Sequence, residues 1–91
     1  MKVLIPAYKN KFEKDLKRIS KQGKNLKELN KVITSLIHRI PLDKKYTDHP
    51  LKGKYSDCRE CHIQPDWLLI YMIKNPQITF IRTGSHADLF K

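Results

Sequence analysis

Seven consecutive apolar residues, Trp67-Leu68-Leu69-Ile70-Tyr71-Met72-Ile73, constrain the fold of this chain more than any other feature. The run is far too short to cross a membrane as a helix, which takes about 20 residues. It has no polar side, so it needs cover all round. A central strand buried on both faces of a sheet meets that need. Ninety-one residues supply material for one modest core. A single domain spanning residues 1–91 is therefore expected, built around this strand.

The flanking segments provide the rest of the sheet and its cover. Tyr55 to Ile63 alternates, and Gln77 to Thr83 is β-branched and alternating, so both read as strands, with Asn75-Pro76 turning the chain before the second. Lys2 to Tyr8 is a short β-prone run in which Pro6 points to an edge position or an early end to the strand. From Lys9 to Gln22, Phe12, Leu16 and Ile19 follow helical spacing, and Gly23 is a natural stop. A second helix starts at the N-cap Asn25; Leu26, Leu29, Ile33, Leu36, Ile37 and Ile40 form its apolar stripe, and Pro41 ends it. Leu42 to Lys54 reads as a loop, and Ser85 to Phe90 as a short terminal helix after Gly84. The plan is α+β, with order β-α-α-β-β-β and a final helical turn. A two-helix hairpin would cover one face of a small, mostly antiparallel sheet and leave the other face for a ligand.

Charge divides the chain. Residues 1–54 carry 15 Lys and Arg against 5 Asp and Glu, which accounts for the whole net charge of +10; residues 55–91 carry 4 of each. Such a field favours a polyanion, most simply nucleic acid or a nucleic-acid machine, with anionic membrane or an acidic protein as competitors. There is no secretory signal or membrane span, so a cytoplasmic protein with reduced thiols is expected.

The neutral half holds the candidate chemistry. Cys58-Arg59-Glu60-Cys61-His62 spells a c-type haem attachment motif. On a strand, however, positions three apart point to opposite faces, which argues against haem, zinc or a disulfide on this cysteine pair. No cofactor or metal is expected. The same alternation places Cys58, Glu60 and His62 on one face, Arg59, Cys61 and Ile63 on the other, and Ile78, Phe80 and Arg82 together. RNA cleavage by its own 2′-hydroxyl needs a group to take that proton, one to protonate the leaving 5′-oxygen, and charge to stabilise the phosphorane. His49, His62 and His86 suit the proton steps. Asp66 or the weaker candidate Glu60 would orient a histidine or act as base. Arg82 suits the phosphate. Phe90 and Trp67 would stack on bases, although Trp67 at the head of an apolar strand equally suits the core and Phe90 equally suits anchoring the terminal helix.

Three blocks carry a family resemblance: Asp48-His49-Pro50-Leu51-Lys52-Gly53, Arg59 to Tyr71 (RECHIQPDWLLIY) and Arg82 to Phe90 (RTGSHADLF). Together they resemble the YafQ family of bacterial toxins, within the RelE/ParE superfamily of toxin–antitoxin systems. The resemblance implies a RelE-like fold and a ribosome-dependent mRNA endonuclease that cuts the message in the A site by metal-independent acid–base catalysis. It implies a cognate antitoxin, the ribosome and mRNA as partners. It carries functional positions onto His49, His62, Asp66, Trp67, Arg82, His86 and Phe90. On that basis His86 is expected to protonate the leaving oxygen, while His62 or His49, with Asp66, assists the 2′-hydroxyl. The competing functions are a gyrase inhibitor of the same fold and a basic ribosome- or RNA-binding module without turnover.

Overall fold

In the computed structural model, which describes residues 2–90, the apolar run becomes the middle strand of a five-stranded sheet. Met1 and Lys91, the ends of the expected 1–91 domain, lie outside the described residues. In chain order the elements are β1 (Ile5–Tyr8), α1 (Asn10–Lys21), α2 (Leu26–Ile37), β2 (His49–Pro50), β3 (Arg59–Gln64), β4 (Trp67–Lys74), β5 (Gln77–Gly84) and α3 (His86–Leu89). The sheet order is β1-β5-β4-β3-β2. Only the β1–β5 pair is parallel.

Both faces of β4 are covered, as its composition requires. Trp67, Leu69 and Tyr71 join Phe12, Ile19, Leu29 and Leu36 in the main core beneath the two long helices. Leu68 and Ile70 face the other way and pack with Cys58 and Leu89 in a second, smaller cluster. Tyr8, Phe12 and Phe80 stack where β1, α1 and β5 meet, with ring centroids 5.4 to 5.9 Å apart. Aromatic pairs of this kind add about 0.5–1.5 kcal/mol beyond the area they bury. Ile5 and Lys9 donate their N–H groups toward β5, so Pro6 lies on the outer edge. There its missing donor blunts the sheet against further pairing.

The structure corrects several boundaries. α2 ends at Ile37 instead of running to Pro41, because Arg39 turns into the left-handed region and the Ile40 N–H returns to the Ser35 carbonyl at 2.9 Å. Tyr55 to Asp57 does not begin a strand; Gly53–Tyr55 is a 3-10 turn and β3 starts at Arg59. The expected loop from Leu42 to Lys54 contains a second 3-10 turn, Lys44–Tyr46, and the two-residue edge strand β2. Side chains hold that segment down. The Tyr46 hydroxyl donates to Glu28 Oε1 on α2 at 2.6 Å, and this bond, reinforced by burial, pushes its pKa up to about 12. The buried Tyr71 hydroxyl donates to Asp48 Oδ1 at 2.7 Å, and Arg59 Nε reaches the same oxygen at 3.2 Å.

The β4–β5 register slips by one residue. Tyr71 lies opposite Phe80, but Ile70 lies opposite Arg82, so Ile81 is an extra residue in a β-bulge. Strict alternation predicts that Arg82 shares a face with Ile78 and Phe80. The bulge instead sends Arg82 to the face of Ile70, away from the main core.

The Tyr71–Asp48 bond anchors the residue next to His49, so Tyr71→Phe is expected to lower unfolding stability by about 1.5–3 kcal/mol, the range for a hydrogen bond to a charged group. Urea denaturation of the variant against the parent measures this.

Candidate active site

The sheet face opposite the long helices gathers the candidate residues. β2 and β3 bring His49 opposite Glu60, and His49 Nε2 lies 2.9 Å from Glu60 Oε2. Strand alternation puts His62 on the same side, with Nε2 3.7 Å from that oxygen. The other His49 nitrogen, Nδ1, is 3.1 Å from the Pro50 carbonyl. Both ring nitrogens of His49 therefore lie near acceptor oxygens.

A second histidine–carboxylate centre forms at the far end of β3. The tight turn through Pro65 and Asp66 lies beside the start of α3, because Leu68 pairs with Gly84. There Asp66 Oδ1 accepts from the His86 backbone N–H at 3.0 Å and from His86 Nδ1 at 2.8 Å. These two bonds hold the Asp66 carboxyl below its ordinary pKa. They also leave His86 Nε2 free for a ligand. The expected pairing of Asp66 with His62 or His49 is not found; chain reversal places it against His86.

The two centres are continuous. Ring centroids run from His49 to His62 at 6.0 Å, from His62 to His86 at 5.9 Å and from His86 to Phe90 at 6.3 Å. Phe90 is 46% exposed and meets the Tyr55 ring edge-on at 5.9 Å, an arrangement open to a stacking base. Trp67 goes elsewhere. It is fully buried in the main core, and its indole N–H donates to Thr83 Oγ1 at 2.9 Å. Of the two aromatic residues expected to stack, Trp67 is core and Phe90 is exposed.

Arg82 reaches from β5 to a partner that sequence reasoning missed. Its Nε donates to Asp15 Oδ2 at 2.7 Å and its Nη2 to Asp15 Oδ1 at 3.1 Å. Asp15 is 2% exposed and also accepts from Arg18 Nη1 and the Thr83 N–H. Burial pushes the Asp15 pKa up, but the bonds from Arg82, Arg18 and Thr83 outweigh it and hold the carboxyl below its ordinary value. The bond to Asp15 likewise raises the pKa of Arg82. The available signal was a charge inside an apolar stripe, since Asp15 sits on the buried side of α1 with Phe12 and Ile19.

The cysteines face opposite ways, as alternation requires: Cys58 joins the smaller cluster and Cys61 the main core. Burial pushes both thiols up, Cys61 to about 12, which suits inert structural residues. A different set fits a metal. Donor atoms of His49, Glu60 and His62 lie within 4.8 Å of one another, and Glu60 Oε1 is buried without a partner. Two imidazoles and a carboxylate suit a borderline divalent ion. The cysteine spacing gave no hint of this set, which depends on β2 pairing with β3.

Residues 4–91 match the family described as bacterial toxin of type II toxin–antitoxin system, YafQ. The chain is 40% identical over 84 residues to the mRNA interferase toxin YafQ of Escherichia coli K12, covering 91% of each protein. Its structure superposes on the toxin of the E. coli DinJ–YafQ toxin–antitoxin complex with a TM-score of 0.91 at 38% identity, over 97% of this chain and 98% of that one. A metal-bound toxin from Helicobacter pylori gives a TM-score of 0.87 at 48% identity, over 97% and 99%. Among the described residues, no helix is long and apolar enough to cross a membrane.

The depressed Asp15 carboxyl makes stability depend on pH in a defined direction. Its contribution is complete above the unfolded carboxylate pKa of about 3.9 and is lost as pH falls through the lower folded value. Urea midpoints measured from pH 7 downward should therefore drop in the acid limb, and Asp15→Asn should flatten that limb.

Proposed function

We infer that this chain, which belongs to the YafQ family of bacterial type II toxin–antitoxin toxins, is an mRNA interferase that cuts messenger RNA on the ribosome and so stops translation. One observation carries the chemistry: two histidine–carboxylate centres, His49–Glu60–His62 and Asp66–His86, share one open face with Arg82. An in-line transfer at phosphorus needs a proton acceptor on one side and a proton donor on the other.

At the first centre, His62 or His49, backed by Glu60, takes the proton of the 2′-hydroxyl as its oxygen bonds to phosphorus. At the second, His86 gives a proton to the departing 5′-oxygen as the P–O5′ bond breaks, and Asp66 balances its imidazolium form. The products are a 2′,3′-cyclic phosphate and a 5′-hydroxyl. Arg82 donates its unoccupied N–H groups to the phosphorane oxygens. Phe90 stacks on a splayed base. A divalent ion held by His49, Glu60 and His62 would add positive charge beside the phosphate, and the imidazole nitrogens ligating it would then not accept a proton. The proton transfers above need only the side chains named.

The basic first half supplies attraction to ribosomal RNA, and the working place is the cytoplasm, where message is translated. A cognate antitoxin with an acidic segment would cover the same basic surface; the DinJ complex of the E. coli relative supports such a partner.

His86→Ala is the cleanest test, because the side chain is 54% exposed and supports no core contact, whereas Arg82→Ala would strip a buried carboxylate of two of its four hydrogen bonds. Mapping message cleavage on translating ribosomes should show a loss of about 10²–10⁴-fold for His86→Ala, the range of one acid–base group. Folding and ribosome binding should persist. Cleavage that is absent from the parent, or undiminished in the variant, would sink the reading and favour a gyrase poison or a passive binder.

A further inference from the structure

We propose that Asp15 is a positioning residue for the nuclease, fixing which edge of the Arg82 guanidinium faces the RNA. The inference rests on the mRNA interferase reading above. It starts from a gap in the sheet. β1 ends at Tyr8 and the chain turns into α1, yet β5 continues to Gly84, so the outer edge of its last turn has no strand beside it. Thr83 points both backbone groups into that gap. Asp15 and Arg18, three residues apart on α1, take the place of the strand. Asp15 Oδ2 accepts from the Thr83 N–H at 3.1 Å, and Arg18 Nη2 donates to the Thr83 carbonyl at 3.1 Å. Gly84 leaves the room this requires, since a Cβ there would stand 2.5 Å from Arg18 Nη2.

With four bonds received, the Asp15 carboxylate has its acceptor capacity filled and cannot rotate without leaving a buried donor unpaired. It therefore acts as a rigid jig for Arg82. It grips the guanidinium side-on, through Nε and Nη2. What remains is the end-on edge, one hydrogen of Nη1 and one of Nη2, a pair spaced for two phosphate oxygens, with the Tyr55 hydroxyl as the other side-chain group beside the guanidinium. Without Asp15, the five donors of Arg82 would present any edge to the substrate. Lysine at position 82 could satisfy Asp15 or the phosphate, but its single ammonium could not keep the fork.

Two measurements test this. Single-turnover cleavage on saturating programmed ribosomes is compared for the parent, Asp15→Asn, Arg82→Lys and the double variant, with ribosome affinity measured alongside. Asp15→Asn should slow cleavage by about 100-fold, the effect of a misplaced group, with affinity unchanged. The double variant should be no slower than Arg82→Lys, because Asp15 acts only through the arginine fork. Equal rate losses in both backgrounds would overturn the proposal. The second measurement needs no variant to fold: ¹⁵N NMR of the parent should show a slowly exchanging Arg82 Nε–H that loses protection as Asp15 protonates in acid. Exchange as fast as that of a solvent-exposed arginine would equally overturn it. If the parent leaves the message intact, the nuclease reading fails, while the NMR result still decides the pairing.

Discussion

A buried carboxylate is the interaction on which the rest of this structure depends. An unpaired charge in a protein interior costs several kcal/mol, so Asp15 is compatible with folding only where donors surround it. It finds them in Arg18 on its own helix and in Arg82 and Thr83 on β5. That requirement locks α1 in position along the sheet. Thr83, held in place, accepts the Trp67 indole N–H and donates its hydroxyl to the Leu68 carbonyl, which ties the head of the central strand to the same point. Arg18 also lies 3.5 Å from Asp88, whose side chain closes the capping box at the start of α3. One acidic residue thus links the first helix, two strands and the short helix that carries His86. As a buried ion pair its net stabilisation is modest; its effect is to make one geometry far better than its neighbours.

The face that gathers the histidines follows from the same architecture. The long helices cover one side of the sheet, and the opposite side has only a small apolar cluster to fill it. That leaves room for the row of histidines. Each end of the row has its own carboxylate, Glu60 buried at one end and Asp66 exposed at the other. The difference suits a reaction with two unlike proton transfers.

Much of this was legible in the residues. The continuous run from Trp67 announced a strand covered on both faces, and the stripes of α1 and α2 announced their helices. Alternation correctly separated Cys58 from Cys61 and brought Glu60 and His62 together. It failed for Arg82, because the bulge at Ile81 shifts every later residue of β5 to the opposite face. It also failed for β2, since a two-residue strand has no period to detect and exists only through its pairing with β3. Trp67 illustrates a further limit. An indole can stack or pack, and the choice was made by Thr83, a partner 16 positions away that satisfies its N–H inside the core.

The sequence by itself determined the order and type of the main elements, the division between a basic half and a chemically rich half, and the set of residues able to move protons. These depend on backbone periodicity and side-chain chemistry, which are local properties. Only the tertiary structure decided which carboxylate lies against which histidine, that Trp67 is core, that Arg82 turns to the face of Ile70, and that Asp15 binds it. Those outcomes depend on contacts between residues 11 to 68 positions apart and on a one-residue slip in register. Nothing in a local pattern encodes a slip whose energy is set by the strands and helices packed around it.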